Sequence, residues 1–90
     1  MKLVKVIGSV TSTIKDDTLK GFKLLMVQTV GTDLEPAGEY YVAADTVGVG
    51  EGEFALIVTG STAKQTEATK GKNIDATIVA KVDRINLEKR

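Results

Sequence analysis

Turns bearing glycine or aspartate divide the chain into five short runs rich in β-branched residues. Val, Ile and Thr are stiff at χ1 and pack well on a pleated surface, so such runs favour strands. Five strands this short favour a small closed barrel, because closure leaves no exposed sheet edge. We predict strands at residues 3–13, 21–29, 40–45, 53–58 and 74–82.

The second run is apolar on both of its faces. Phe22, Leu24 and Met26 alternate with Leu25 and Val27, and successive strand residues point to opposite sides of a sheet. A sheet with one wet face would carry polar residues on that face. The pattern therefore predicts that another molecule covers the outer face, and scattered surface aliphatics on a monomer are the alternative.

Glycine turns and one short helix are predicted around the fourth strand. Gly48, Gly50 and Gly52 stand at alternate positions before it, where φ > 0 or a close approach of another chain is expected. After it, residues 60–65 are predicted to form a short helix with Ser61 or Thr62 as its N-cap. Further predictions are a bend or bulge at Gly8, loops at 15–18, 31–38 and 66–72, and a charged tail at 84–90.

Length and composition argue against an enzyme. Ninety residues predict one domain, residues 1–90, whose small core would benefit from association. The chain has no cysteine and no histidine, so it lacks thiolate nucleophiles, the usual zinc ligands and the side chain that titrates near neutrality. We expect no catalytic residues, no metal site, no cofactor and a reducing cytoplasm as its compartment.

The charge balance argues against nucleic acid and membranes as partners. Twelve basic and twelve acidic side chains cancel, so no net field attracts the chain to either surface. Aromatic residues make up 4% of the chain, which leaves few side chains to stack on bases. Lys2 and Lys5 interrupt a short apolar run at the start, so we expect no targeting segment and a soluble protein.

Three short motifs partly match known ligand or catalytic patterns. Gly48-Val49-Gly50 fails the dinucleotide pattern, because Glu53 stands where the third glycine belongs and a strand follows. Gly71-Lys72 lacks the hydroxyl residue and leading glycine of a phosphate loop. Ser61 and Lys64 have the Ser-x-x-Lys spacing of some acyl-transfer enzymes, without those enzymes' other motifs.

Several segments, taken in order, carry a resemblance to a known family: Gly8 with Val10, and residues 13–16, 19–25, 42–48, 50–53, 60–64 and 75–80. Together they resemble the EutN/CcmL family of bacterial microcompartment vertex proteins, whose members have similar length. The family commonly has alanine where Val49 stands and arginine where Lys64 stands. The second difference replaces the planar guanidinium group of arginine, which can donate two parallel hydrogen bonds, with the ammonium group of lysine.

The resemblance implies an all-β fold with one short helix: a five-stranded barrel like the oligonucleotide-binding fold, assembled as a cyclic pentamer. It implies a non-catalytic protein that caps the vertices of a polyhedral carboxysome or metabolosome shell, beside hexameric shell proteins, in the bacterial cytoplasm. The alternative is a barrel that binds single-stranded nucleic acid, which would rest on fold alone. The predicted helix follows strand four rather than strand three, unlike the usual oligonucleotide-binding barrel.

If several copies assemble into a ring, two sets of residues become candidate sites. Amides and hydroxyls at a short helix N-terminus would line a narrow pore if several copies surround one axis, although capping alone also explains them. The glycine turn would pack between subunits. The pore-lining candidates are Gly60, Ser61 and Thr62, and the subunit-interface candidates are Asp45, Val47, Gly48, Val49, Gly50, Glu51, Gly52 and Lys64.

Overall fold

The computed structural model of the chain describes residues 1–11, 22–60 and 76–88. All regular structure of two or more residues in these ranges is β-strand, and the predicted helix at 60–65 lies outside them except for Gly60. The five predicted strands are all present. They are β1 (Lys2–Val10), β2 (Lys23–Val30), β3 (Pro36–Asp45), β4 (Phe54–Thr59) and β5 (Ala76–Val82).

The strands form a closed barrel in the order β1-β2-β3-β5-β4. Four of the pairs are antiparallel, including β4 with β1, which closes the sheet. β3 and β5 run parallel and pair at Ala44 with Thr77 and at Asp45 with Ile78. The prediction of an all-β, five-stranded closed barrel is therefore confirmed.

The start of β3 differs from the prediction. We expected residues 31–38 to be a connection, because they hold the one proline and two glycines, yet β3 begins at Pro36. Thr29 extends the hairpin: its hydroxyl donates to the Ala37 carbonyl at 2.6 Å and accepts from the Glu39 amide at 3.1 Å. Gly38 takes φ +90° here. Proline is tolerated because it is the first residue of the strand.

The predicted irregularity at Gly8 is confirmed. The pairing of β1 with β2 shifts register between Val6 and Gly8, which leaves Ile7 without a partner on β2. Val6 donates to the Glu53 carbonyl at 2.9 Å and accepts from the Gly52 amide at 2.8 Å. The β1–β4 contact therefore continues into the turn that precedes β4.

The barrel interior is filled by small and medium aliphatic side chains. In β2, Leu25 and Val27 point inward and are completely buried, whereas Met26 points outward and is 38% exposed, so the assignment of the two faces is confirmed. Tyr41 packs against the core from its margin. The buried core consists of Val4, Val6, Leu25, Val27, Ala43, Val49, Ala55, Ile57, Ala76 and Ile78.

Thr77 is fully buried, although its neighbours Ala76 and Ile78 occupy the core and strand alternation points Thr77 away from them. Its hydroxyl has no hydrogen-bond partner within the described part of the chain. A buried hydroxyl without a partner loses its hydration without compensation.

Thr77→Val should therefore raise the free energy of unfolding, by about 1 kcal/mol, because the isosteric methyl group carries no desolvation penalty. The measurement is urea denaturation at matched subunit concentration. Thr29→Val is the matched control, because the Thr29 hydroxyl makes two hydrogen bonds, and that change should lower stability. A loss of stability in Thr77→Val comparable to that in Thr29→Val would contradict the assignment.

Candidate subunit interface

The loop between β3 and β4, residues 46–53, carries most of the predicted interface residues, and Asp45 at the end of β3 organises it. One carboxylate oxygen of Asp45 accepts hydrogen bonds from the amides of Val47 at 2.9 Å and Gly48 at 2.8 Å. The other accepts from the amide of Val49 at 2.8 Å. Short aspartate side chains commonly bond amides that follow them closely, and here one side chain fixes three. We call this arrangement the Asp45 clamp.

The clamp lowers the pKa of Asp45. Partial burial acts in the opposite direction and is the largest single influence, because it disfavours the charged form. The amides of Gly48, Val47 and Val49, together with the charge of Lys23, outweigh it and hold the pKa below its ordinary value. Lys23 is the residue paired with Asp45 across β2 and β3. The carboxylate is therefore ionised under neutral conditions.

A second carboxylate fixes the other half of the loop. Glu53 accepts from the Gly50 amide at 2.6 Å with one oxygen and from the Lys81 ammonium at 2.9 Å with the other. Lys81 and the Gly50 amide lower the pKa of Glu53. The Glu53 amide donates to the Gly50 carbonyl at 3.1 Å, which closes a four-residue turn with Gly52 at its third position.

The backbone angles and close contacts within the single chain explain why glycine stands at alternate positions of this loop. Gly48 takes φ +98° and Gly52 takes φ +81°, conformations that residues with a Cβ rarely adopt. The third position of a type II turn requires such an angle, which accounts for Gly52. At Gly50, a Cβ would lie 3.0 Å from Oε1 of Glu53. The spacing thus reflects the turns themselves, and close approach of another chain at these glycines stays a prediction.

Gly48→Ala should cost about 1–2 kcal/mol of unfolding free energy, because alanine disfavours a positive φ. Steric overlap contributes nothing, since no atom lies within 4 Å of an added Cβ. Thr32→Ala is the control in another exposed turn: the residue is exposed, and exposed substitutions typically change stability by less than about 0.5 kcal/mol. Equal urea midpoints for the two variants would show that the φ angle at position 48 carries no cost.

Most of the predicted interface residues are either exposed or buried, and Gly50 is half-buried. Val47 is 45% exposed, and Gly48, Glu51 and Gly52 are also exposed, so they are accessible to a partner. Val49 is 1% exposed and belongs to the core of its own barrel. The extra bulk of valine over alanine at this position therefore lies inside the barrel. The Asp45 carboxylate is likewise engaged within its own chain.

The predicted pore residues are largely outside the described part of the chain. Gly60 is exposed, with φ +63° and open space where a Cβ would stand. Ser61, Thr62 and Lys64 lie outside the described residues. The assignment of Gly60, Ser61 and Thr62 to a pore rim stays a prediction.

Two features of this region were not predicted: the exposed side chains of β3 and the clamp formed by Asp45. Tyr40 is 63% exposed and Val42 is 49% exposed on the outside of β3. Alternation from the buried Ala43 would have placed Val42 outside. The clamp role of Asp45 had a signal as well, since an aspartate two to three residues before a glycine is typical of side-chain-stabilised turns.

Within residues 1–11, 22–60 and 76–88 there is no group of three or more His, Cys, Asp or Glu side chains that could hold a metal ion. The same residues form no detectable pocket. No helix among them is long and apolar enough to cross a membrane.

Comparison with known proteins identifies relatives that span nearly the whole chain. A family model described as "Ethanolamine utilisation protein EutN/carboxysome" matches residues 1–83. The carboxysome shell vertex protein CcmL of Thermosynechococcus vestitus is 46% identical over 86 residues, covering 96% of this chain and 87% of the relative. The microcompartment shell vertex protein EutN of Salmonella typhimurium is 35% identical over 85 residues, covering 94% and 86% respectively.

A solved structure described as the GrpN pentameric microcompartment shell protein of Rhodospirillum rubrum superposes with a TM-score of 0.85. It is 42% identical and covers 98% of this chain and 100% of its own. Similarity at this level extends through the fold as a whole, so it applies to the complete barrel rather than to one motif.

Proposed function

The chain belongs to the EutN/CcmL family, and we propose that it is a structural shell protein whose pentamers cap the vertices of a polyhedral bacterial microcompartment. The observation that carries the proposal is its similarity, along both chains, to a shell protein described as pentameric. Relatives named as vertex proteins of carboxysomes and of other microcompartments support the same role.

Geometry gives this role a physical reason. A sheet of hexagonal tiles is flat, and a polyhedron closes only where five-fold units replace six-fold ones. A cyclic pentamer is built from one repeated heterologous contact, in which one surface of each subunit meets a different surface of the next. We infer that the hexagonal tiles are hexameric shell proteins, that the assembly lies in the bacterial cytoplasm and that the role is non-catalytic.

The proposal also gives a place in the ring to the predicted interface residues of the loop and to the predicted pore residues. Val47, Glu51 and the exposed glycines of the loop would contact a neighbouring subunit. Gly60, Ser61 and Thr62 would lie near the five-fold axis. Binding of single-stranded nucleic acid is supported by resemblance of the barrel alone, and no relative named above favours it.

Production of shells with and without the chain tests the role directly. The chain would be co-produced with a hexamer-forming shell protein, and the particles would be viewed by electron microscopy. We expect closed polyhedra when the chain is present and open or tubular assemblies when it is omitted. Closed polyhedra of equal yield in its absence would overturn the vertex role.

A further inference from the structure

The loop between β3 and β4 crosses one end of the barrel on its inner side. β3 and β4 are not neighbours, because β5 lies between them in the closed sheet. Val49, near the middle of this connection, is 1% exposed and packs in the core, whereas the other core residues named above all lie on strands. The loop therefore closes this end of the barrel with one apolar side chain. We call residues 47–51 the strap.

Uncharged groups hold the residues on either side of the strap. The Thr46 hydroxyl donates to the Ile78 carbonyl of β5 at 2.8 Å. At the other end, the Gly52 amide donates to the Val6 carbonyl at 2.8 Å, and the Val6 amide donates to the Glu53 carbonyl at 2.9 Å. These donors and acceptors do not titrate between neutral and acid pH, so both ends of the strap stay attached over that range.

Carboxylates hold the backbone of the strap itself. Four consecutive amides, at positions 47–50, each donate to a carboxylate oxygen: the first three to Asp45 and the fourth to Glu53. Among the described residues, none of these four amides donates to a backbone carbonyl. Most protein hydrogen bonds join one backbone group to another, so a run of four amides with titratable acceptors is unusual. The hydrogen bonding of the strap therefore depends on two ionisable side chains.

The charged groups that surround these two carboxylates are mostly lysines. Lys23 on β2 acts on Asp45, and Lys81 on β5 pairs with Glu53 at 2.9 Å. On β1, Lys5 lies over the ring of Phe54, the residue after Glu53. Lysine side chains keep their charge throughout the acid range. Acid therefore changes the charge of carboxyl groups alone, and the remaining ones here, Glu51 and Asp83, are exposed.

We propose that the strap opens locally when Asp45 and Glu53 lose their charge, so that Val49 leaves the core while the five strands stay paired. Asp45 uses both of its oxygens as acceptors, and a protonated carboxyl group turns one oxygen into a donor. Protonation therefore breaks at least one of these hydrogen bonds. The pKa values of both carboxyl groups lie below their ordinary values, so the strap is closed at neutral pH and opens as the pH falls through the folded-state values. This inference concerns the single chain and does not rest on the proposed function.

Hydrogen–deuterium exchange of the natural chain tests the opening, because exchange reports local and global opening separately. Exchange would be followed by mass spectrometry in peptides from residues 46–53 and 23–30, at neutral pH and at about pH 3. Rates would be divided by those of unstructured peptides at the same pH. We expect the protection of the strap peptide to fall at acid pH by about tenfold more than that of the β2 peptide.

A double variant tests the same opening at neutral pH, without the other effects of acid. Asp45→Asn with Glu53→Gln removes both charges and leaves each side chain with one accepting oxygen. We expect its strap peptide to lose about tenfold in protection at neutral pH, and to lose less on acidification than the natural chain does. The matched control is Asp33→Asn with Glu35→Gln, the same chemical change in an exposed turn, which should leave the strap protected.

Two results would overturn the proposal. Equal loss of protection in the strap and β2 peptides of the natural chain would show that acid opens the barrel as a whole. A strap that stays protected in the folded double variant at neutral pH would show that the two charges do not hold it closed. If the double variant does not fold, the comparison of the two peptides in the natural chain decides.

Discussion

Leu25→Ala is expected to lower the free energy of unfolding by about 3 kcal/mol, within the range of about 2–5 kcal/mol typical of large-to-small core substitutions. Leu25 is completely buried and is among the largest side chains in the core. Its removal loses both the transfer free energy of the deleted carbons and the contacts around the cavity that remains. Such a loss is a large part of the stability of a small domain.

Leu87→Ala is the matched control for this experiment. It removes the same atoms from a side chain that is 54% exposed, so its effect on the subunit should be less than about 0.5 kcal/mol. Both variants would be unfolded in urea at one subunit concentration, because assembly makes apparent stability depend on concentration. A midpoint for Leu25→Ala as high as that of Leu87→Ala would contradict the assignment of β2 faces.

Asp45→Ala is expected to cost about 2–4 kcal/mol, because three amides lose their acceptor and an unpaired buried donor costs about 1–3 kcal/mol. The Val49 amide carries most of this cost, since Val49 is buried, whereas water can reach the amides of the exposed Val47 and Gly48. Asp45→Asn should cost less, because the amide oxygen still accepts. Equal stability of Asp45→Ala and the natural chain would refute the clamp.

The clamp also predicts how stability depends on pH. The pKa of Asp45 is lower in the folded chain than its ordinary value of about 3.9. Its stabilising effect is therefore fully present above that ordinary value and is lost as the pH falls through the lower folded pKa. Glu53 acts in the same direction, so the informative quantity is the difference between variants. Between neutral pH and about pH 3, the natural chain should lose more stability than Asp45→Asn.

The fold was predictable because its signal is periodic. Alternation in β2 separated Leu25 and Val27 from Met26, and the structure places the first two inside the barrel and Met26 outside. The runs of β-branched residues predicted all five strands, and most predicted strand ends lie within a few residues of the observed ones. The start of β3 was not predictable in this way, because Pro36 and Gly38 are typical of loops. A bridging hydroxyl from Thr29, eight to ten residues away, extends the strand there.

The loop at 46–53 was located from its glycines, but its construction was not evident from them. Sequence spacing indicated unusual backbone angles, which Gly48 and Gly52 have. It did not indicate that carboxylates from Asp45 and Glu53 hold the amides, since such contacts depend on side-chain geometry. Interface roles for these residues remain predictions because a contact between copies is a property of the assembly.

The vertex role requires that copies of this chain close into a five-membered ring. Native mass spectrometry at low micromolar subunit concentration tests it most directly, because it counts subunits without reference to shape. We expect a dominant species of five times the 9.6 kDa chain mass. A stable monomer as the dominant species under the same conditions would contradict it.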